Sequence, residues 1–487
     1  MARLSVAEIA RAVNGYLAAG DPGRECSGAA IDSRKVSGGE VFFAFSGAAT
    51  DGRRFVGDAF ARGAGAAVVN RAGSDGSDGS VRSVGSSAAI IEVDDTFQAL
   101  HDLARHVRQR VPEKLAGITG SAGKTTTKEL LGAILATRFR VFWTPGNLNN
   151  LYGFPLSLLN VPDGTEWMVA EMGMSTPGEL RQLSLLGRPD VAVYTVVRPA
   201  HLEFFDSVQG IAEAKAELMA GLSPEGIIVA NADDPEVARI ARRHAEGATN
   251  ADNAGWHGRL VWYGVDSEAD VRARDVQPEP GGAIGSRFRL EAGGQSAEVR
   301  LPLHGLYNVE NCLAAAACAW ALGLSLEEIA AAVRDVRPAA MRGVVHQVAG
   351  PRGGFTLVDD SYNSNPDALV KALESAGLLA GGRRLAVLGD MLELGPAGPR
   401  FHRESGEQAA RLGFSPLAGV GELSRELVAG AKEAGAEAVW LPDAAAAAEW
   451  AAAEVREGDV LLVKGSRGVK LDGVVRRLAG LVAEGRA

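Results

Sequence analysis

The residues whose types and spacing are best suited to chemistry lie in the segment GITGSAGKTTT, residues 117–127. It stands between an apolar run and a run with helical periodicity, so a strand, a turn and a helix are expected in that order. Glycines in such a turn let backbone amides surround phosphate oxygens, Lys124 supplies a mobile positive charge, and the Thr125 hydroxyl can ligate magnesium. The segment therefore predicts a nucleoside triphosphate site, formed by Gly120, Ser121, Ala122, Gly123, Lys124, Thr125 and Thr126.

One position departs from the general phosphate-loop pattern. Where that pattern has a glycine five residues before Gly123, this chain has Ile118. The alternative interpretation is a glycine-rich turn between a strand and a helix that binds no ligand. The GKTT sequence that ends the turn favours the nucleotide site.

Four further polar groups follow apolar, strand-like runs. They are the segment TPGNLNN at residues 144–150, Glu171, His201 and Asn231. Ligands gather at the carboxyl ends of the strands of an open parallel sheet, so these groups are expected near the phosphate loop. Taken alone, Glu171 could cap a helix and His201 could be a loop histidine. Their joint placement predicts a magnesium and phosphate site.

The elements that must position these groups form an α/β pattern with three domains, as 487 residues at roughly 150 per domain suggest. Residues 1–110 predict a small α/β domain in which the Gly- and Ser-rich segment 71–87 is a mobile loop. Residues 111–336 predict a largely parallel sheet with helices on both faces, with antiparallel strands appended over 258–303. Residues 337–487 alternate again and predict a third α/β domain, which includes a helix over the Ala-rich residues 444–453.

Composition excludes several classes of protein. The chain has 50 basic and 60 acidic residues, a net charge of −10, and no long basic run, which argues against a nucleic-acid partner. Three cysteines, Cys26, Cys312 and Cys318, lack the spacing of a zinc site or a disulfide framework and indicate a reducing compartment. No signal peptide and no membrane span is recognised, so we expect a cytoplasmic protein.

A family resemblance rests on motifs spread over the whole chain. The segments GITGSAGKTTT, TPGNLNNLYGFP, EMGM, HLEFF, IAEAKAEL, NADD, HGLYNVENCLAAA, MRG, DDSYNSNPDAL and LGDMLELG occur in the order and spacing of the Mur ligases of peptidoglycan synthesis. The resemblance extends from DSRKV to KGSRG and implies a central P-loop ATPase domain, flanked by a small N-terminal domain and a Rossmann-like C-terminal domain. Within the family, TPGNLNN, DDSYNSNPDA and LGDMLELG resemble the branch that adds D-alanyl-D-alanine to UDP-N-acetylmuramoyl-tripeptide.

The resemblance implies roles around the nucleotide. Lys124 and Thr125 would hold the ATP phosphates and a first magnesium ion, with Glu171 as its carboxylate ligand. His201 resembles a ligand of a second magnesium ion, and Lys215 resembles a lysine that the family carbamylates. Spacing alone would place Lys215 on a solvated helix face, paired with Glu213 or Glu217. Other positions implied to contact the nucleotide are Asn308, Asn311, Arg342 and Asp360; by pattern alone, the two asparagines could equally be caps or surface groups.

The resemblance also implies positions for the other substrates. Ser33, Arg34, Ser46 and Gly47 resemble the pocket for the UDP end, although Arg53 stands where the family often has histidine. Asn149 and Asn150 would border the muramoyl-peptide. The incoming dipeptide would be met by Tyr362, Asn363 and Asn365.

The implied activity is ATP-dependent formation of an amide through an acyl phosphate, with Lys124, Lys215, His201 and Arg342 as the catalytic residues. We expect a monomer that uses ATP and magnesium; the sequence leaves open whether the third residue of the tripeptide is diaminopimelate or lysine. One rival is a folylpolyglutamate synthase-like ligase, which the DSRKV and DDSYNSNPDA segments disfavour. The other is a P-loop switch or motor protein, which would hydrolyse ATP without a small-molecule acceptor.

Overall fold

The computed structural model describes residues 3–47, 51–71, 88–111, 113–199, 202–247, 255–280, 283–350, 352–379 and 381–480. These residues form three mostly parallel sheets with helices packed against them, together with one small two-stranded sheet. The predicted α/β class is confirmed. The segment predicted as a mobile loop lies, from residue 72 onward, outside the described residues. No described helix is both long enough and apolar enough to cross a bilayer.

The N-terminal sheet has five strands in the order β2-β7-β6-β5-β4, with only β2 antiparallel to its neighbour. The strands of this part of the chain are β1 (Leu4–Ser5), β2 (Tyr16–Ala19), β3 (Glu25–Cys26), β4 (Ala29–Ala30), β5 (Val41–Ala44), β6 (Ala66–Asn70) and β7 (Ala89–Val93). Its helices are α1 (Val6–Ala12), α2 (Val56–Ala61) and α3 (Thr96–Arg108). Helix α3 packs on the helices of the middle domain, so one apolar core runs through both domains.

The middle sheet has nine strands in the order β16-β15-β14-β13-β12-β11-β8-β10-β9. They are β8 (Lys114–Thr119), β9 (Val141–Trp143), β10 (Trp167–Glu171), β11 (Val191–Tyr194), β12 (Ile227–Asn231), β13 (Arg259–Gly264), β14 (Val271–Pro278), β15 (Ser286–Ala292) and β16 (Gln295–Leu301). Strands β8, β10, β11 and β12 are parallel, so the groups that follow them meet at one edge of the sheet.

Helices cover both faces of this sheet. They are α4 (Lys124–Leu135), α5 (Gly153–Leu159), α6 (Glu179–Gly187), α7 (Val208–Ala216), α8 (Pro235–Ala245), α9 (Tyr307–Ala321) and α10 (Leu326–Val333). Helices α4, α9 and α10 share an apolar core on one face, and α5 to α8 share the core on the other. Helix α10 begins with a capping box, in which the side chains of Ser325 and Glu328 each accept a hydrogen bond from the backbone amide of the other residue.

The expectation of antiparallel strands over residues 258–303 is partly wrong. Strand β13 pairs in parallel with β12 and, through two residue pairs, with β14; only β14, β15 and β16 are antiparallel to one another. The reason is that β13 follows the crossover helix α8 and therefore continues the parallel sheet. The glycine-rich composition of the segment concealed this continuity.

The C-terminal sheet has six strands in the order β17-β18-β22-β19-β20-β21, parallel except for the hairpin of β17 and β18. The strands are β17 (Val344–Gly350), β18 (Gly353–Asp360), β19 (Arg384–Gly389), β20 (Phe414–Val420), β21 (Ala438–Leu441) and β22 (Val460–Lys464). The helices are α11 (Pro366–Gly377), α12 (Gly398–Arg411), α13 (Ser424–Glu433), α14 (Ala444–Glu454) and α15 (Asp472–Ala479). The Ala-rich segment is thus helical, as predicted.

Candidate active site between the middle and C-terminal domains

The nucleotide loop, residues 120–123, connects β8 to α4 and depends on its two glycines. Gly120 has a φ of 154°, and a Cβ atom there would lie 1.8 Å from Thr195 Oγ1. Gly123 has a φ of 84°, and a Cβ atom there would lie 2.1 Å from Asn311 Oδ1. No other residue fits either position, because both the backbone conformation and the space forbid a side chain. Gly120 thus supplies the freedom that a glycine at position 118 would give in the general pattern.

Lys124 begins helix α4, and its Nζ atom donates to the carbonyl of Gly120 at 2.7 Å. The ammonium group is therefore folded back over the nucleotide loop. Burial lowers the pKa of Lys124, and the carboxylate of Glu171 opposes this effect. A cation at the first turn of a helix, beside free backbone amides, is the arrangement that holds the phosphates of a nucleotide.

Glu171, at the end of β10, is the centre of a buried hydrogen-bond network. Its Oε2 atom accepts from Thr125 Oγ1 at 2.6 Å, and its Oε1 atom accepts from Asn149 Nδ2 at 2.7 Å. Burial would raise the pKa of this carboxyl, but the charges of Lys124 and Arg342 and the two hydrogen bonds hold the pKa below its ordinary value. The carboxylate is therefore ionised, and it is not the helix cap that the sequence allowed.

Asn308 and Asn311 lie on the first turns of α9 and are both buried. Asn308 Nδ2 donates to the carbonyl of His304 at 2.7 Å, and Asn311 Nδ2 donates to Asn308 Oδ1 at 2.9 Å. The pair therefore forms a chain of amides that ends against Gly123. Neither residue is a simple surface group.

The C-terminal domain contributes Arg342, which precedes β17, and the residues that follow β18. The guanidinium of Arg342 lies 4.1 Å from the centre of the Tyr362 ring, a cation–π contact. Asp360 is paired with Lys464, whose Nζ atom donates to Asp360 Oδ2 at 2.6 Å and to the carbonyl of Asn363 at 3.0 Å. Asp360 therefore carries its own counter-ion.

Two of the predicted substrate residues also have local structural roles. Asn365 caps helix α11 by accepting from the amide of Ala368 at 2.8 Å. Asn150 Oδ1 accepts from the amides of Tyr152 and Gly153 at 3.1 and 2.8 Å, at the start of α5. These hydrogen bonds occupy the side-chain oxygens and leave the amide nitrogens as possible ligand contacts.

A cavity of about 360 Å³ lies between the two domains and joins these groups. Two pairs of opposite charges join the two domains: Arg198 lies 3.4 Å from Asp367, and Lys371 lies 3.4 Å from Glu310. Its lining includes most of the predicted site residues, namely Ser121, Ala122, Gly123, Lys124, Thr125, Thr126, Asn149, Asn150, Glu171, Asn308, Asn311, Arg342, Asp360, Tyr362, Asn363 and Asn365.

Lys215 does not line this cavity but lies beneath it. The residue is 2% exposed, and burial together with the charge of Lys124 sets its pKa well below the ordinary value. The alternative of a solvated Lys215 paired with Glu213 or Glu217 is wrong. Glu213 pairs with two arginines of α8, and Glu217 accepts backbone amides at the start of α6. His201 lies outside the described residues.

The predicted residues of the first domain are not brought to the cavity. Ser33 is buried in a short 3-10 turn, and Arg34 pairs with Asp32 at 2.7 Å on the surface. Ser46 donates to Asp51 at 3.3 Å, and the following Gly47 is exposed. Arg53 donates to the carbonyls of Asn70 and Arg71 at 2.7 and 3.0 Å, a structural role at the end of β6.

Sequence reasoning missed several residues that build the site. Lys464 ends β22, and the rule of polar groups at strand ends that singled out Glu171 could have found it. Thr195 directly follows β11, the neighbour of β8, and donates to the carbonyl of Ala122 at 2.6 Å, which supports the nucleotide loop. Lys128, on α4, is completely buried, and a lysine beside Thr127 and Glu129 gave no signal of burial in the sequence.

The donor set around Thr125 fits a magnesium ion. A hydroxyl and an ionised carboxylate lie together at the edge of the nucleotide loop, and both are oxygen donors. The described residues contain no cluster of three or more histidine, cysteine, aspartate or glutamate side chains that could hold a metal. Magnesium bound through one or two protein ligands and the phosphates of a nucleotide needs no such cluster.

Comparisons with known proteins agree with this geometry. Family models described as the Mur ligase family catalytic domain, the Mur ligase middle domain and the Mur ligase glutamate ligase domain match residues 25–108, 118–319 and 344–467. The UDP-N-acetylmuramoyl-tripeptide–D-alanyl-D-alanine ligase of Bacillus subtilis (strain 168) is 33% identical over 98% of this chain and 99% of its own length. The protein of the same name from Escherichia coli (strain K12) is 32% identical over 92% of each chain.

Solved structures give the same result. The crystal structure of MurF from Acinetobacter baumannii superposes with a TM-score of 0.83 and 29% identity, over 98% of this chain and 99% of that one. The MurF ligase from Thermotoga maritima in complex with ADP superposes with a TM-score of 0.76 and 28% identity, over 93% and 97% of the two chains. With the phosphate loop, the buried Glu171 network and the three-domain fold already established, these matches show that the chain belongs to the Mur ligase family.

Proposed function

We propose that this protein is an ATP-dependent ligase that joins D-alanyl-D-alanine to UDP-N-acetylmuramoyl-tripeptide and releases ADP and phosphate. The observation that carries the proposal is the cavity between the two domains. One wall has the nucleotide loop with Lys124 and the ionised Glu171, and the other has Arg342 and the polar residues after β18. The relatives over nearly the full length carry the name of this activity.

The reaction needs activation because a free carboxylate is a poor acylating group. A carboxylate oxygen of the tripeptide attacks the γ-phosphorus of ATP, and ADP leaves with the bonding electrons. The amine of the dipeptide then attacks the acyl carbon, loses a proton, and displaces phosphate. Lys124 and Arg342 are placed to neutralise charge on the phosphoryl group during transfer, which is the main catalytic contribution in such reactions.

A first magnesium ion would be held by Thr125 and Glu171, and His201 would be a ligand of a second magnesium ion by resemblance. When bound, the ion supplies positive charge that draws electrons from the phosphoryl group. The hydrogen bonds from Thr125 and Asn149 keep the Glu171 carboxylate ionised and fixed in orientation.

We further infer that Lys215 is carbamylated. Carbon dioxide adds only to a neutral amine, and the buried position of Lys215 lowers its pKa and favours that form. No hydrogen-bond acceptor or carboxylate within the described ranges pairs with its ammonium group. A carbamate would convert this side chain into a negatively charged oxygen ligand beside the nucleotide site.

The remaining substrates are assigned by the same proposal. The UDP end would contact Ser33, Arg34, Ser46 and Gly47, and the muramoyl-peptide would contact Asn149 and Asn150. The dipeptide would contact Tyr362, Asn363 and Asn365. The base and ribose of the nucleotide would contact Asn308, Asn311 and Asp360.

Because both walls of the cavity belong to one chain, the reaction needs no second copy, which supports a monomer. Three free, buried cysteines support a reducing compartment such as the cytoplasm.

Product analysis tests this proposal. The purified chain is incubated with ATP, magnesium, D-alanyl-D-alanine and UDP-N-acetylmuramoyl-tripeptide that carries either diaminopimelate or lysine. Mass spectrometry should detect UDP-N-acetylmuramoyl-pentapeptide with at least one of the two tripeptides. Absence of pentapeptide with both, from a folded chain that binds ADP, would contradict the proposed function.

A further inference from the structure

Lys128 is a buried charge that the proposed reaction does not use directly. It lies on α4, one helical turn after Lys124, and its side chain has no exposed surface. A lysine is rarely found completely buried, because an ammonium group is costly to remove from water unless it is paired and hydrogen-bonded. Its contacts therefore indicate its role.

The contacts of Lys128 lie mainly on one loop. Its Nζ atom donates to the carbonyl of Thr144 at 2.6 Å and to the carbonyl of Gly146 at 3.1 Å. The carboxylate of Glu129 lies 3.0 Å away and supplies the counter-charge. The other oxygen of Glu129 accepts from Trp143 Nε1 at 3.0 Å. Two carbonyls thus accept hydrogen bonds from the ammonium group, and the carboxylate of Glu129 balances its charge.

The loop held in this way is the asparagine loop, residues 144–150, which carries two of the proposed substrate contacts. Asn147, Asn149 and Asn150 all line the cavity. Asn149 connects the loop to Glu171, and its carbonyl accepts from the amide of Gly173 at 2.8 Å. The position of the loop therefore affects both the peptide side of the cavity and the orientation of Glu171.

The turn at the start of the asparagine loop has backbone bonds from the amide of Thr144 to the carbonyl of Val169 at 3.0 Å and from the amide of Leu148 to the carbonyl of Pro145 at 3.3 Å, and Lys128 adds to them. Pro145 has no amide hydrogen, and Gly146 adopts a φ of 54°. An apolar residue in place of Lys128 would leave the carbonyls of Thr144 and Gly146 without their bonds to Nζ. A long cationic side chain with three donors is the residue that can reach both carbonyls from a helix.

We propose that Lys128 is a positioning residue that fixes the asparagine loop relative to the nucleotide loop, so that the muramoyl-peptide is aligned with the γ-phosphate. The inference rests on the proposed function, since it concerns the binding of that substrate. Helix α4 then carries both functions: Lys124 and Thr125 at its start serve the nucleotide, and Lys128 serves the second substrate.

The test is the variant Lys128→Met, which keeps the length of the side chain and removes its donors. The KM for UDP-N-acetylmuramoyl-tripeptide should rise about tenfold or more, because small misplacements of a substrate-binding group are costly. The affinity for ADP, measured by calorimetry, should change much less, since the nucleotide loop keeps its own bonds. The matched control is Leu131→Ala, a core residue on the same helix, which should lower thermal stability without a selective rise in that KM.

The outcomes distinguish the positioning role of Lys128 from the proposed function on which it rests. If the wild-type chain neither binds nor turns over the UDP-linked tripeptide, the proposed function fails. If the wild type is active and Lys128→Met has the same KM for that substrate, or loses ADP affinity equally, the positioning role is wrong. Should Lys128→Met fail to fold, Lys128→Gln keeps a polar side chain but shortens its stem and removes its charge. A KM for the UDP-linked tripeptide unchanged in Lys128→Gln would then overturn the inference.

Discussion

The two walls of the cavity are built in different ways. On the middle-domain wall, Lys124, Thr125 and Asn149 all bond to groups of the same domain, and the nucleotide loop is shaped by glycines that no other residue can replace. On the C-terminal wall, Arg342 rests on the ring of Tyr362, and Asp360 is paired with Lys464. These contacts of each wall thus lie within its own domain, although the charge of Arg342 also lowers the pKa of Lys124 and Glu171 across the cavity.

Few polar contacts join the walls. Arg198 to Asp367 and Lys371 to Glu310 are both ion pairs at 3.4 Å whose side chains are about 30% exposed, and such pairs contribute little to stability. Modest contacts between domains of one chain normally permit relative motion. We propose that the middle-domain wall is a preformed nucleotide site and that the C-terminal wall adds charge to it when the domains approach.

The largest effect is expected from Lys124→Ala, which removes a positive charge from the middle-domain wall. Loss of this charge should lower the rate of ligation on the order of 10²-fold or more. It should also weaken ADP binding, because the same ammonium group faces the phosphates before and after transfer. Phosphate-release kinetics and calorimetry measure the two effects, with thermal unfolding as the control for folding. Turnover near that of the wild type would remove Lys124 from the phosphate site.

A second large effect is expected from Lys215→Ala, which removes a buried side chain of the same domain. Loss of a carbamate ligand should lower turnover by about 10²-fold, an effect comparable to the loss of another charge-stabilising group. Acetate should restore part of the rate by filling the space left by the carbamate. High-resolution density with a bare amine at Lys215, in a complex with magnesium and nucleotide, would contradict carbamylation without affecting the ligase proposal.

Arg342→Ala tests the contribution of the C-terminal wall, for comparison with that of the middle-domain wall. Turnover should fall by roughly tenfold to a hundredfold, because a positive charge near the transferred phosphoryl group is lost. ADP affinity should fall less than in Lys124→Ala, since the nucleotide loop is intact. An equal loss of ADP affinity in the two variants would show that the walls are not separable in function.

The last effect concerns acid stability and not turnover, at the seam between the walls. His304 is 7% exposed and borders a small cavity with Ser375 and Leu378 of the C-terminal domain. Burial lowers the pKa of His304 to about 4 from 6.5, although Asp360 opposes the change. Between these values the unfolded chain binds a proton that the folded chain does not, so stability falls as pH decreases from 6.5 to 4.

Replacing the imidazole removes this effect. When the pH falls from 7.5 to 4, the free energy of unfolding should decrease by about 3 kcal/mol more in the wild type than in His304→Leu. This difference follows from the lowering of the His304 pKa from 6.5 to about 4. Urea unfolding at several pH values measures the difference. Parallel pH profiles for the two proteins would show that His304 is protonated as readily in the folded chain as in the unfolded one.

The parts of the site that were predictable are those whose geometry is local. The nucleotide loop lies within one strand, turn and helix, and Glu171 follows a strand that pairs directly with β8, so sequence order was sufficient to place them together. The capping role of Asn365 also follows from its place before Pro366 and a helical run.

Features that depend on distant parts of the chain were not predictable. Lys464 pairs with Asp360 because β22 lies beside β18 with these two residues in register, although they are about a hundred residues apart in sequence. The burial of Lys215 was hidden because α7 is short and rich in alanine, which gives a weak periodic signal.

The central claim is that the cavity couples ATP cleavage to amide formation between two substrates. The most direct test is phosphate release by the wild-type chain with ATP and UDP-N-acetylmuramoyl-tripeptide, with and without D-alanyl-D-alanine, and with Lys124→Ala as the inactive control. Sustained release is expected only when both the tripeptide and the dipeptide are present, with one pentapeptide formed for each phosphate. Equally fast phosphate release without the dipeptide would contradict the claim and would instead indicate an ATPase.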